Sequence, residues 1–302
     1  FFHYHNSERS SYDVFKFFIY LRFYEREKDD HIKRIEYTAE TVHEYIHYLQ
    51  SFTTIYGIQT TLILLSILNE FLLDLNNSVI TLPLKTDDPI IHKMHDRMKL
   101  IYDLQFFKIT PKDLSIDDCG EDIYYEMYKI QYNGYKEVKV PFIKDYNNHR
   151  WIPLTPKVIR ENMAMMGYCI TRGMGAEALL EWIKERDDSE YWIIFEYLMY
   201  KVPTSLNNLV ITFYLCELAL MSSTPTITID ILLNQFIDFI HSEGIHYSDE
   251  DSLFNNFVKK YDICTEQQPW IDKLFSITQV QKKSADQNSY ENEYLKFLST
   301  IF

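Results

Sequence analysis

Thr38-Ala39-Glu40-Thr41-Val42-His43-Glu44-Tyr45-Ile46-His47-Tyr48-Leu49-Gln50-Ser51-Phe52 is the stretch on which the reading of this chain turns. Val42, Ile46 and Leu49 recur at i, i+4 and i+7, the spacing of one helical face; Thr38 offers an N-cap and Glu40 falls in the first turn. The segment therefore reads as a helix, and its surroundings read differently on each side. Upstream, Val14 to Tyr24 is dense in β-formers, with Phe15, Phe17, Ile19, Leu21 and Phe23 on one parity, and Arg34 to Tyr37 reads as a second strand. Downstream, Gly57 is expected to end the helix, and Ile58 to Leu75 resumes as a strongly apolar one.

Farther along, Ser78 to Leu84 reads as a short strand and Pro89 to Phe106 as a helix. Asn133-Gly134 between alternating runs predicts a β-hairpin over Ile123 to Phe142. Thr155-Pro156 supplies an N-cap and a first-turn proline for a helix running to Thr171, ahead of Gly173. Helical patterns then follow at Ala176–Glu185, Glu190–Lys201, Leu206–Met221, Thr228–Ser242, Asp251–Tyr261 and Glu291–Phe302, with a polar loop at Gln279–Ser289. The expected fold is α+β and mainly α-helical: a small N-terminal sheet beside the first helix, a mid-chain β-hairpin, and a helical C-terminal region. Residues 1–110, 111–153 and 154–302 are the corresponding stretches.

Composition narrows the function classes. The 302 residues are 46% hydrophobic and 16% aromatic with only 7 Gly and 9 Pro, which excludes collagen-like and broadly disordered chains. A net charge of −14 without a Lys/Arg-rich block disfavours a phosphate-backbone surface, so nucleic acid is not expected as a partner. The four cysteines, Cys119, Cys169, Cys216 and Cys264, form neither a close pair nor a dense framework, which suggests a reduced, cytoplasmic setting. The apolar run Thr60 to Leu68 is interrupted by Ser66 and closed by Asn69-Glu70, so no membrane span is expected.

Within the opening helix, His43-Glu44-Tyr45-Ile46-His47 is an H-E-x-x-H. Side chains four apart on a helix stand one turn above each other, with roots about 6 Å apart, so both imidazoles can converge on one ion. Such a pair suits a tetrahedral zinc ion, and Glu44 projects to the neighbouring side, where a carboxylate can take a proton from water without ligating the metal.

This pentapeptide on a helix preceded by strands resembles the zincin superfamily of zinc metallopeptidases. In the metzincin branch the motif continues to x-x-G-x-x-H; Gln50 and Thr53 occupy those places, which excludes that branch. The resemblance that remains is gluzincin-like, and it implies a third ligand that is a glutamate from a later helix.

Two acids compete for that role. Asn69-Glu70-Phe71-Leu72-Leu73-Asp74 is similar to the N-E-x-x-S-D pattern of thermolysin-like enzymes, with Leu73 in place of Ser. Ser66, Glu70 and Asn77, however, share a polar stripe of the kind that faces water, and a hairpin at Gly57 leaves Glu70 nearly a turn beyond His47. Glu161 has Val158, Ala164, Met165 and Tyr168 at i−3, i+3, i+4 and i+7, so it projects from an apolar face. Burying a carboxylate there costs several kcal/mol unless a cation accepts it. The segment also resembles the E-x-x-A third-ligand helix of several gluzincins. Glu161 is the preferred ligand, with Glu70 second and Glu177, Glu181, Glu196 and Glu217 behind.

Gln50, one turn after His47, is placed to support a ligand. His149-Arg150 and Tyr168 are candidate oxyanion donors; the pairs His92/His95 and His241/His246 lack a partner acid at ligand spacing and read as surface residues. The expectation is thus a zinc-dependent peptidase acting on a protein or peptide substrate, with His43, His47 and Glu161 on Zn²⁺ and Glu44 as general base. Two rivals stand beside it. One is a non-catalytic metal-containing interaction domain, and the other is a single-target toxin or defence-type protease under the control of a regulatory protein.

Overall fold

The computed structural model describes residues 11–13, 18–20, 31–76, 89, 91–93, 96, 122–131, 135–145, 147–184, 186–202, 207–243 and 250–261. The chain divides into two compact units, Phe1–Phe254 and Asn255–Phe302. Among the described residues it is mainly helical, with one two-stranded and one three-stranded antiparallel sheet. In order, the elements are β1 (Ser11–Asp13), β2 (Phe18–Tyr20), α1 (His31–Thr53), α2 (Ile55–Asn76), β3 (Ile123–Gln131), β4 (Tyr135–Asp145), β5 (Arg150–Pro153), α3 (Pro156–Thr171) and α4 (Ala176–Ile183). A 3₁₀ turn at Ser189–Tyr191 leads into α5 (Ile193–Lys201), α6 (Asn208–Leu220), α7 (Pro225–Glu243) and α8 (Glu250–Tyr261). Within the second unit, the rings of Phe257 and Tyr261 lie 5.3 Å apart on the end of α8.

The first unit is organised around α3, whose start follows from local chemistry. Thr155 is extended (φ −80°, ψ 162°) and its hydroxyl accepts from the Val158 amide, with Pro156 at the first helical position. Its length ends at Thr171, ahead of Gly173 at φ +67°, where a side chain would be strained. Val158, Ile159, Met163, Ala164, Met166 and Cys169 are buried, and α1, α6 and α7 pack around them. Gly167 sets how close α1 comes: a β-carbon there would stand 2.1 Å from Ile46 Cδ1.

That packing corrects one sequence expectation. Arg34 to Tyr37 is not a strand but part of α1, which begins at His31 and leaves Thr38 exposed inside the helix rather than capping it. Ala39 is fully buried in a cluster with Met166, Cys169 and Trp192, and Glu36 is held by the Tyr168 hydroxyl and by Arg172 at 3.1 Å. Contacts along α3 thus carry the helix over Ile35 and Tyr37, which favour strands, while Arg34 and Glu36 suit a helix. The break after α1 also moves, from Gly57 to Thr54. The Thr54 hydroxyl donates to the Gln50 carbonyl (2.6 Å) and accepts from the Gly57 amide (3.0 Å), capping α2 while closing α1. Gly57 is needed for closeness instead, because a β-carbon there would lie 1.9 Å from the Gln50 carbonyl oxygen.

Over Ile55–Leu73, α2 has the length and mean hydropathy (1.4) of a helix able to cross a membrane. In this fold Thr61, Leu64 and Ile67 are buried while Leu72 and Leu73 are exposed, and the Thr61 hydroxyl donates to the Ser51 carbonyl of α1.

The mid-chain hairpin has the register Ile123↔Ile143 to Gln131↔Tyr135; Asn133-Gly134, the expected turn, lies outside the described residues. A third strand, β5, pairs with β4 from Phe142↔Pro153 to Asp145↔Arg150 and was not expected. Its turn is tied down by Asp145, which is fully buried and accepts from the Asn147 and Asn148 amides, Arg150 Nε and the Ser189 hydroxyl. Of the expected strand over Val14 to Tyr24, the described part is Phe18–Tyr20, which pairs antiparallel with Ser11–Asp13. The expected strand Ser78–Leu84, the loop Gln279–Ser289 and the helix Glu291–Phe302 lie outside the described residues. So does most of Pro89–Phe106, of which positions 89, 91–93 and 96 are helical.

Candidate metal centre

His43 and His47 stand one turn apart on α1, and α3 brings Glu161 against both. His47 Nε2 is 3.2 Å from His43 Nε2 and 3.2 Å from Glu161 Oε2, and His43 Nε2 is 3.5 Å from the same oxygen. A tetrahedral ion with bonds of ~2.1 Å requires its ligand atoms to be ~3.4 Å apart. Two imidazole nitrogens and a carboxylate oxygen are also the donor set that zinc accepts, so these residues fit the ion. Among the described residues this is the group of His, Cys, Asp and Glu side chains that could hold a metal.

Three consecutive residues of α3 each reach a different neighbour, which aims Glu161. Arg160 Nε donates to Gln50 Oε1 on α1 (3.1 Å), Glu161 meets the histidines, and Asn162 grips the 3₁₀ region. The buried Asn162 amide donates to the Glu190 carbonyl (2.7 Å) and accepts from the Ile194 amide (3.0 Å). Burial by itself would raise the pKa of Glu161. The charge of His47 and hydrogen bonds from both imidazoles outweigh it and hold the carboxyl well below the usual carboxylate range. The side chains of His43, His47 and Glu161 keep 13%, 10% and 19% of their exposure, so the cluster is sheltered yet open to water on one side.

Glu44 is buried beside the first histidine, and Gln50 is 1% exposed with Oε1 2.9 Å from His47 Nδ1. Glu70 is half-buried on α2 and is not part of the cluster; Glu177 and Glu181 are exposed on α4. Glu196 is buried elsewhere, accepting from Asn147 Nδ2 at 2.7 Å, and Glu217 is half-buried on α6. The Tyr168 hydroxyl is given to Glu36, near the start of α1, and Arg150 is engaged with Asp145, Ser189 and the Asp187 carbonyl. His149 is exposed at φ +48° in the β4–β5 turn, and His92 and His241 are exposed as well.

Two neighbours were not foreseen. The Tyr191 ring lies 6.3 Å from that of His43, beside the cluster, and Arg160 holds Gln50. Nothing local distinguishes Tyr191 among 24 tyrosines, whereas Arg160 adjoins Glu161 and its reach toward α1 follows once the two helices are known to cross. Compared with known protein families, curated proteins and solved structures, the chain has no match.

Proposed function

We propose that this protein is a zinc-dependent peptidase whose metal is held by His43, His47 and Glu161. The observation that carries the reading is the convergence of three ligand atoms, 3.2, 3.2 and 3.5 Å apart, next to a buried Glu44 on the same helix. A purely structural zinc site closes its shell with a fourth protein ligand; among the described residues the group comprises three, which suits a site that receives water or substrate.

When bound, zinc would supply Lewis acidity toward water and toward the scissile carbonyl. The work of the chain's own residues follows from their positions. His43 and His47 contribute neutral nitrogens and Glu161 one negative charge, which leaves the site with a net positive charge that favours a developing oxyanion. Glu44, adjacent to His43 but outside the ligand set, takes a proton from the attacking water and passes it to the leaving amine.

Elemental analysis of protein purified without chelators, together with cleavage of a mixed peptide substrate, tests this reading. About one zinc per chain and chelator-sensitive cleavage are expected. Protein that retains no first-row metal and takes none up from solution would overturn it.

A further inference from the structure

A histidine that ligates through Nε2 must carry its remaining proton on Nδ1, so whatever faces Nδ1 decides whether the ring is ready for a metal. For His47 that neighbour is the side-chain amide of Gln50, 2.9 Å away. An amide presents either its oxygen or its NH₂, and the two ends have opposite consequences. Facing NH₂, Nδ1 would have to be the acceptor and the proton would move to Nε2, which blocks the ligand position.

Arg160 removes the ambiguity. Its Nε carries a hydrogen and can only donate, and it lies 3.1 Å from the same Gln50 atom that faces His47. That atom is therefore the oxygen. The other end of the amide is 3.1 Å from the Arg160 backbone carbonyl, which can only accept, so it must be the NH₂. Both contacts set the amide in one orientation without reference to the histidine. Arg160 also reaches the His47 carbonyl at 3.4 Å, so it holds the backbone of the ligand as well as its support.

The surroundings leave Gln50 no alternative pose. Its side chain is 1% exposed, its backbone carbonyl receives the Thr54 hydroxyl at 2.6 Å, and Gly57 of α2 closes directly over that carbonyl. Both lone pairs of the amide oxygen are used, one by His47 and one by Arg160.

We propose that Gln50 is a positioning residue: clamped by Arg160, its amide oxygen keeps a proton on His47 Nδ1 and fixes the ring so that Nε2 is the nitrogen turned toward His43 and Glu161. The proposal rests on the metal-site reading for its purpose but not for its geometry. The carboxylate of Glu161, one residue after Arg160, arrives at Nε2 by the same helix that sets the amide at Nδ1. Docking of α3 thus prepares both nitrogens of one ring at once.

The test uses the full chain. In the metal-free protein, two-bond ¹⁵N–¹H correlation spectra should show a proton on His47 Nδ1, whether or not Nε2, which faces Glu161, carries one as well; an Nδ1 without a proton overturns the proposal. Zinc affinity is then measured by competition with a chromophoric chelator, alongside the melting temperature of each metal-free protein. Gln50→Leu should bind zinc ~10–100-fold more weakly, as loss of a hydrogen-bond partner to a ligating histidine does elsewhere. Gln50→Glu keeps an acceptor oxygen for both His47 and Arg160 but loses the NH₂ that donates to the Arg160 carbonyl, so it should bind zinc more weakly than the parent and more tightly than Gln50→Leu. A folded Gln50→Leu with parental zinc affinity, or a Gln50→Glu as weak as Gln50→Leu, overturns the positioning role. A parent chain that takes up no zinc defeats the proposed function instead, while the proton position still decides the role of Gln50.

Discussion

Glu161 Oε2 lies 3.2 Å from His47 Nε2, although 114 positions separate the two residues. The contact is held from both sides, since Arg160 is fastened to Gln50 of α1 and Asn162 to Glu190 and the first turn of α5. A carboxylate placed this firmly against two imidazoles on a largely apolar face requires positive charge from protonated rings or from a metal.

Glu161→Gln should weaken zinc binding by more than about 100-fold, because the site loses a bond and its only negative ligand. Glu70→Gln, on α2 and outside the cluster, should leave the affinity unchanged. Zinc content and competition titrations on the two variants decide the assignment, and loss in Glu70→Gln with retention in Glu161→Gln would reverse it.

Glu44→Gln separates chemistry from binding. The variant should fold, keep its zinc and lose peptide hydrolysis by ~10²–10⁴-fold, as removal of a general base does. Parental turnover in this variant would remove Glu44 from the mechanism.

Gly57→Ala tests the closure of α2 onto α1. Alanine favours a helix by about 1 kcal/mol over glycine, but its β-carbon would sit 1.9 Å from a backbone oxygen that no rotamer change can move. Overpacking of this kind typically costs ~1–3 kcal/mol, so the melting temperature should fall, and zinc affinity should fall with it because the displaced carbonyl belongs to Gln50. An unchanged melting temperature would show that the two helices separate without penalty.

Glu196 gives a pH dependence. Burial, with repulsion from Asp145 second, raises its pKa from 4.5 to about 7, and its Oε2 has no hydrogen-bond partner. Since the folded chain holds this proton more tightly than the unfolded chain does, stability is fully present below pH ~4.5 and is lost as pH rises through about 7. The loss amounts to about 3 kcal/mol. Glu196→Gln cannot ionise, so its melting temperature should exceed the parent's at pH 8 and approach it at pH 5. A difference equal at both pH values would assign the effect to packing rather than charge.

The sequence by itself determined the features that repeat within a segment. The i, i+4, i+7 face of α1 with His43 and His47 one turn apart, the Thr155-Pro156 start of α3, and the alternation of β3 and β4 depend on neighbours a few positions away, so local periodicity and capping express them. The apolar neighbours of Glu161 marked it as an acid needing a cation, but not which cation it would meet. Only the tertiary structure decided that Glu161 rather than Glu70 comes to the histidines, that Arg34 to Tyr37 is helical, and that Arg160 orients Gln50 behind His47. These depend on how closely α1 and α3 pack, which is set by Gly167 and Ala39 against partners more than a hundred positions away. Burial at such a crossing outweighs the preference of a few residues for strand, and its partners cannot be read from the spacing within either helix.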